Sequence, residues 1–351
     1  MKFFISLIQK FTERDSSDLF FHYSVMMIFF FSAFCIQKKS PPSSAAAAGS
    51  LVTNTVSLGA PKSIGLDLVT NIKAWNRGCE LRTGNLVADA FAWKANADIG
   101  FVNGGNIRED QNVPTILKGT VPDSTLFAKF MIFNNQVIVS EINGYRLKQA
   151  LENSNRQLTL PRYSSATDDM DSDGSQHGNC YSFGSGSGRI LFPSSNLSVD
   201  VNVSNTAMSV SGSAGSNNLK TNTVGARITR IVINGLMIYN NTSGSFTSGW
   251  AAGTSSCTVR QTSFTNSAAC NKYKIATVDF QINGGDGNFS FNPSITANAA
   301  GPTEFQGDVP MSAAVINTPI GTDSGIAYEY VQSFTSGPVF PKIGNRLNLF
   351  H

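Results

Sequence analysis

The run over residues 273–291, Y-K-I-A-T-V-D-F-Q-I-N-G-G-D-G-N-F-S-F, constrains this chain more than any other stretch. It opens as an alternating strand. Tyr273, Ile275, Thr277 and Asp279 fall on one side, and Lys274, Ala276, Val278 and Phe280 on the other. It then meets Asn283-Gly284-Gly285-Asp286-Gly287, where the glycines let the backbone take φ > 0 and come close to a ligand. A ring, Phe280, and a carboxylate, Asp286, flank this turn. A ring stacks on a planar heterocycle, and a carboxylate accepts hydrogen bonds from hydroxyls or ring N–H groups. Taken alone, the stretch is explained more simply as a glycine-rich turn between strands.

A second stretch changes that balance. Residues 80–108 read E-L-R-T-G-N-L-V-A-D-A-F-A-W-K-A-N-A-D-I-G-F-V-N-G-G-N-I-R. Three patterns stand in order along the chain: E-x-x-x-G-N-L-x-x-D-A from Glu80 to Ala90, A-D-x-x-x-x-N-G-G-x-I-R from Ala97 to Arg108, and F-x-x-x-G-G-D-G from Phe280 to Gly287. Together they resemble the C-terminal domain of the 5′-nucleotidase family, which includes UDP-sugar hydrolases. The resemblance implies a single α+β domain with a mixed β-sheet flanked by helices. It implies a nucleoside or nucleotide ligand contacted by Asn103, Arg108, Phe280 and Asp286. A second stacking ring is expected within residues 188–200, where Phe192 is the aromatic on offer. Residues 130–135 and 136–144 resemble the family's P-F-G-N segment and its following strand and turn, with Ile132 in place of the proline; they are expected to be scaffold.

Local patterning supports the same architecture. Leu86, Val87, Ala90 and Phe91 give a helix one apolar face. Residues 97–102 read as a buried strand turned by Asn103-Gly104-Gly105-Asn106, and residues 145–154 as a helix with Leu147 and Leu151 on one side. Residues 226–237 read as a strand with a turn, and I-A-Y-E-Y-V-Q-S-F from Ile326 as a helix. The domain is expected over residues 64–351, with insertions near 155–187 and 238–272.

The chain begins as an export signal would. Lys2, Lys10 and Arg14 precede an apolar run over 19–34 that ends at Cys35. Cys35, after Ser32-Ala33-Phe34, resembles a relaxed lipobox whose cysteine carries lipid and ties the protein to a membrane. Plain secretion with cleavage near Ala45 to Ala48 is the alternative. Residues 1–35 are thus expected to be the signal and 36–63 a low-complexity tether. The destination would be the bacterial outer membrane or periplasm, or the medium. Export permits disulfides. Cys257 and Cys270 close a short loop and are expected to pair, leaving Cys79 with Cys180.

Asp169, Asp171, Asp173 and Gly174 follow the D-x-D-x-D-G opening of a calcium loop, but position twelve is Cys180 rather than a bidentate carboxylate, which excludes an EF-hand. A solvated acidic loop and a structural Ca²⁺ site are the two readings. A net charge of +3 gives no basis for nucleic-acid binding.

Relatives that hydrolyse phosphate esters carry a metallophosphoesterase domain whose two metal ions need several His and Asp ligands. This chain has three histidines, His22, His177 and His351, scattered over its length. They cannot assemble that centre. The sequence therefore implies a binding domain that holds no cofactor of its own and is not hydrolytic by itself. Two alternatives stand beside it: the specificity subunit of a two-chain nucleotidase whose separate metallophosphoesterase chain brings divalent metals, and a cell-surface interaction protein with a vestigial site.

Overall fold

The computed structural model describes residues 63–69, 78–107, 116–121, 123–159, 181–183, 190–211, 220–223, 225–241, 258–259, 268, 270–287, 305–306, 318–335, 338–339, 344 and 346–351. All of these lie in the unit Ser50–His351. The expected signal, all of the tether but Ser63, the calcium loop, Cys35, Arg108, Cys180 and Cys257 fall outside the described residues, as does most of each expected insertion.

Nine of the described strands build the two larger sheets: β1 (Ile99–Asn103), β2 (Gln136–Asn143), β3 (Leu191–Pro193), β4 (Leu197–Asn202), β5 (Ile228–Ile233), β6 (Leu236–Asn240), β7 (Lys272–Val278), β8 (Thr318–Thr322) and β9 (Leu347–Phe350). The helices among the described residues are α1 (Arg82–Ala95), α2 (Thr125–Ala128), α3 (Gly144–Asn155), α4 (Asp279–Ile282) and α5 (Asp323–Ser333). The larger sheet has the order β8-β2-β7-β1-β3 and the smaller β6-β5-β4-β9. Parallel and antiparallel pairs occur in both, so the fold is α+β with mixed sheets.

β7 is the spine of the larger sheet. It runs antiparallel to β2 from Lys272↔Asn143 to Val278↔Val137, and parallel to β1 through Ile275↔Ile99 and Ala276↔Gly100. β1 is buried along its whole length, as a strand covered on both faces must be. Gly100 lets α1 lie flush on it, because a Cβ there would stand 2.0 Å from the Ala88 carbonyl oxygen. Within α1 only Arg82, Asp89 and Trp93 keep partial exposure. Their seven- and four-residue spacings put them on one stripe.

Alternation along the opening stretch ends earlier than the pattern suggests. β7 stops at Val278, and Asp279 begins the short helix α4, so Asp279 and Phe280 do not continue the strand faces. A second departure is α3. Its sequence, G-Y-R-L-K-Q-A-L-E-N-S-N, shows one apolar side through Leu147 and Leu151, yet all twelve residues are buried, the polar ones included. Several of the polar ones find partners inside the protein. Asn143 caps the helix by accepting from Arg146 N–H at 2.8 Å. Lys148 Nζ lies 3.0 Å from Glu152 Oε1 and donates to the Gly225 carbonyl. Glu152 in turn accepts from the Arg227 and Ile228 N–H groups at 3.3 and 3.0 Å. A buried ion pair survives when such bonds complete it.

Candidate nucleoside site

The ends of the larger sheet's strands gather at one edge. β1 ends at Asn103 opposite Leu191, the first residue of β3. β7 ends at Val278 opposite Val137, and β8 ends at Thr322 opposite Gln136, the first residue of β2. The segments that leave or enter at this edge carry Asn103, Asn106, Phe133, Asn135, Phe280, Asp286 and Asp323. Sheets with parallel strands place ligands in such crevices beyond the strand ends.

The G-G-D-G turn is built to present Phe280 and Asp286. Gly284 has φ 84°, and Asp286 itself sits in the left-handed region at φ 54°, ψ 19°. That conformation is uncommon outside glycine, although Asp tolerates it better than most residues. A Cβ on Gly285 would lie 2.5 Å from Cε1 and Cζ of the Phe280 ring, so the ring packs directly over a bare backbone. Phe280 still keeps 46% of its surface exposed. Asp286 accepts a 2.9 Å hydrogen bond from Asn103 Nδ2 across 183 residues of sequence. Strand pairing thus unites the N-G-G and G-G-D-G motifs in one place.

Phe192 does not belong to this group. It is fully buried in β3, and a Cβ on Gly84 would lie 2.2 Å from its ring. The corrected candidate for the second ring is Phe133, which is 47% exposed beside the 41% exposed Ile132. It sits on the turn entering β2, at the same sheet edge as Phe280. Residues 130–135, expected to be scaffold, reach this same sheet edge and leave an aromatic ring exposed there. The following residue, Asn134, holds φ 49° where the P-F-G-N pattern has glycine. Asparagine is among the few residues that occupy this conformation readily.

Two further asparagines and one carboxylate link these turns. Asn106 Nδ2 donates to Asp323 Oδ2 at 3.2 Å and Asn135 Nδ2 donates to Asn106 Oδ1 at 2.6 Å. Asn135 N–H donates to Asp323 Oδ2 at 3.3 Å, and Asp323 N–H returns a 3.0 Å bond to the Asn135 carbonyl. Ser324 N–H donates to Asp323 Oδ1 at 2.7 Å. Asp323 is fully buried at the start of α5. Burial pushes its carboxyl up to about 6, and the Asp279 charge adds to this against the pull of its hydrogen bonds.

The first motif makes a different structure. Glu80 Oε1 accepts from Asn85 Nδ2 at 2.6 Å and Gly344 N–H at 3.2 Å, and Oε2 accepts from Leu347 N–H at 3.2 Å. Asp89 takes both arms of Arg346, at 2.9 and 2.8 Å, and also the Ser195 N–H at 2.7 Å. Glu80, Asn85 and Asp89 therefore form a clasp that holds α1 to the C-terminal strand β9. Among the described residues no group of three or more His, Cys, Asp or Glu side chains could hold a metal ion.

The α+β domain thus gathers an exposed ring, the G-G-D-G turn and an asparagine–carboxylate pair at one sheet edge. The profile of the 5′-nucleotidase C-terminal domain matches residues 61–243, and the chain belongs to that family. The chain is similar to a 5′-nucleotidase precursor from Thermus thermophilus, with 18% identity and TM-score 0.47 over 82% of this chain and 39% of that one. It is also similar to an NAD nucleotidase from Haemophilus influenzae, with 14% identity and TM-score 0.42 over 86% of this chain and 38% of that one. The chain thus spans about two fifths of the length of these solved structures. No curated protein matches it.

Proposed function

We propose that this chain binds a nucleoside or nucleotide at the sheet edge. The base lies against Phe280, with Phe133 as the second ring, and Asp286 with Asn103 fixes the sugar or a base edge. Arg108, which follows the same N-G-G turn in sequence, is assigned the phosphate or hydroxyl groups. The observation that carries this reading is the 2.9 Å Asn103–Asp286 bond beside a half-exposed Phe280 ring. A large ring left exposed beside convergent polar groups is what a planar ligand needs. Calorimetric titration with adenosine, AMP and UDP-glucose tests it. Saturable binding that Phe280→Ala and Asp286→Ala both remove is the expected result. No heat up to millimolar ligand would overturn it.

In the alternative reading, a separate metallophosphoesterase chain carries out hydrolysis and this chain supplies specificity. The reading rests on the chain's three histidines, too few for the several His ligands of a two-metal phosphoesterase centre. Phosphatase activity of the chain alone with added divalent metal would contradict this assignment.

Export through the N-terminal signal, lipid on Cys35, structural Ca²⁺ at Asp169, Asp171 and Asp173, and the pairs Cys79–Cys180 and Cys257–Cys270 complete the proposal. A 2.9 Å bond from Tyr181 N–H to the Gly78 carbonyl supports the first pair, since it sets the neighbours of Cys180 and Cys79 side by side. Peptide mapping without reduction and labelling with radioactive palmitate test the pairing and the anchor.

A further inference from the structure

The proposed ligand groups sit on three turns that come from distant parts of the chain. Asn103 and Asn106 share the turn after β1, Phe133 and Asn135 the turn before β2, and Asp286 the turn after α4. Something must fix the spacing of these turns before a ligand arrives. The Asn103–Asp286 bond joins the first to the third. The first and second are joined through Asp323, which receives Asn106 Nδ2 and Asn135 N–H on the same oxygen, Oδ2. Asn135 and Asn106 also bond to each other directly at 2.6 Å.

We infer that Asp323 is a positioning residue for the site: it clamps the Asn103-bearing turn against the turn that presents Phe133. The inference rests on the ligand-binding reading above. The carboxylate suits the task because every group bonded to it is a donor. Its two oxygens take three N–H groups, from Asn106, Asn135 and Ser324. An amide in its place has one acceptor oxygen, and its NH₂ would face a donor. A carboxylic acid has one oxygen occupied by its own proton. Both changes lose part of the clamp. Asp279, at the head of α4, is the charged group that acts on Asp323, while Asn106, Asn135 and Ser324 face it as neutral partners.

The clamp predicts a coupling that simple structural support does not. Ligand affinity should follow the ionisation of Asp323 and fall as the pH drops through its titration. Adenosine is the probe, because the second ionisation of a phosphate lies near pH 6 and would confuse the result with AMP. The wild-type protein is expected to bind adenosine roughly tenfold more weakly at pH 5 than at pH 7.5, a factor equivalent to one unit of protonation-linked affinity. Asp323→Asn is expected to bind weakly at both, with a flat profile. Binding by Asp323→Asn that keeps the wild-type affinity and pH profile would overturn the inference, whatever that variant does to thermal stability.

A second measurement needs no ligand. In the unliganded protein, the side-chain amide signals of Asn106 and Asn135 should move together with pH, sharing one midpoint, and stop moving in Asp323→Asn. Signals that stay fixed from pH 4.5 to 8 in the wild type would refute the clamp. If the signals titrate as expected and wild type binds no adenosine, the ligand reading fails and the inference that depends on it falls too, with the clamp left as a structural contact.

Discussion

The clasp and the sheet-edge site use the same kinds of residue to opposite ends. Both gather carboxylates and asparagines, among them Glu80, Asn85 and Asp89 in the clasp and Asn103 and Asp286 at the sheet edge, from motifs that stand out in the sequence. In the clasp, Asp89 is neutralised by both arms of Arg346, and Glu80 is consumed by backbone N–H groups of the C-terminal segment. Both carboxylates there are taken up by protein donors. At the sheet edge, Asp323 has only neutral donors, its carboxyl is held well above the ordinary range, and two rings stand half out of the surface. A motif residue marks the family in both places. Only the second place leaves chemistry unspent, and that difference is readable from partners and not from motif strength.

The largest effect separates the two regions by stability. Arg346→Ala leaves Asp89 without its buried partner and should cost roughly 3 kcal/mol, the range for breaking such a pair. Chemical denaturation measures it, and adenosine affinity of the folded fraction should not change.

Of similar size is a pH effect at Asp323, with its sign worked out from the raised carboxyl. The folded state holds that proton more tightly than the unfolded chain, so the contribution is favourable below about pH 4 and is lost as pH rises through about 6. Measured against Asp323→Asn, which has no such proton, wild type should lose about 3 kcal/mol of relative stability between pH 4 and pH 7. Affinity should run the other way. A stability difference that stays flat with pH would remove the buried-charge account.

Smaller effects fall on the rings. Phe280→Ala should weaken adenosine binding by about 1–3 kcal/mol, the range for a stacked base, while stability moves little because the ring is half exposed. Phe192→Leu should do the reverse, lowering stability and sparing affinity. Gly285→Ala should cost about 1 kcal/mol or more in stability and weaken binding, since its Cβ would press on the Phe280 ring and carbonyl.

Much of the site is legible in the sequence. The N-G-G and G-G-D-G motifs identify Asn103, Phe280 and Asp286, and strand patterning suffices to place them near strand ends. Phe133 lies in a segment the sequence marks as the P-F-G-N resemblance but assigns to scaffold, and only the fold shows its ring exposed at the sheet edge. Phe192 misleads because an aromatic in the right interval says nothing about which way it faces. The pairing of β3 with β1 turns it onto Gly84. Asp323 carries no local signal at all: it opens a helix as many aspartates do, and its role exists only once β8 lies beside β2. The burial of α3 is hidden for the same reason, since its polar side chains find partners more than seventy residues away.

The most direct test of the central claim is calorimetric titration of adenosine into wild type, Phe133→Ala and Phe280→Ala under one set of conditions. Saturable binding by wild type, weakened about tenfold or more by loss of either ring while both variants stay folded, is the result expected from a base held at the sheet edge. Wild-type affinity in both variants, or no binding by any of the three, would contradict it.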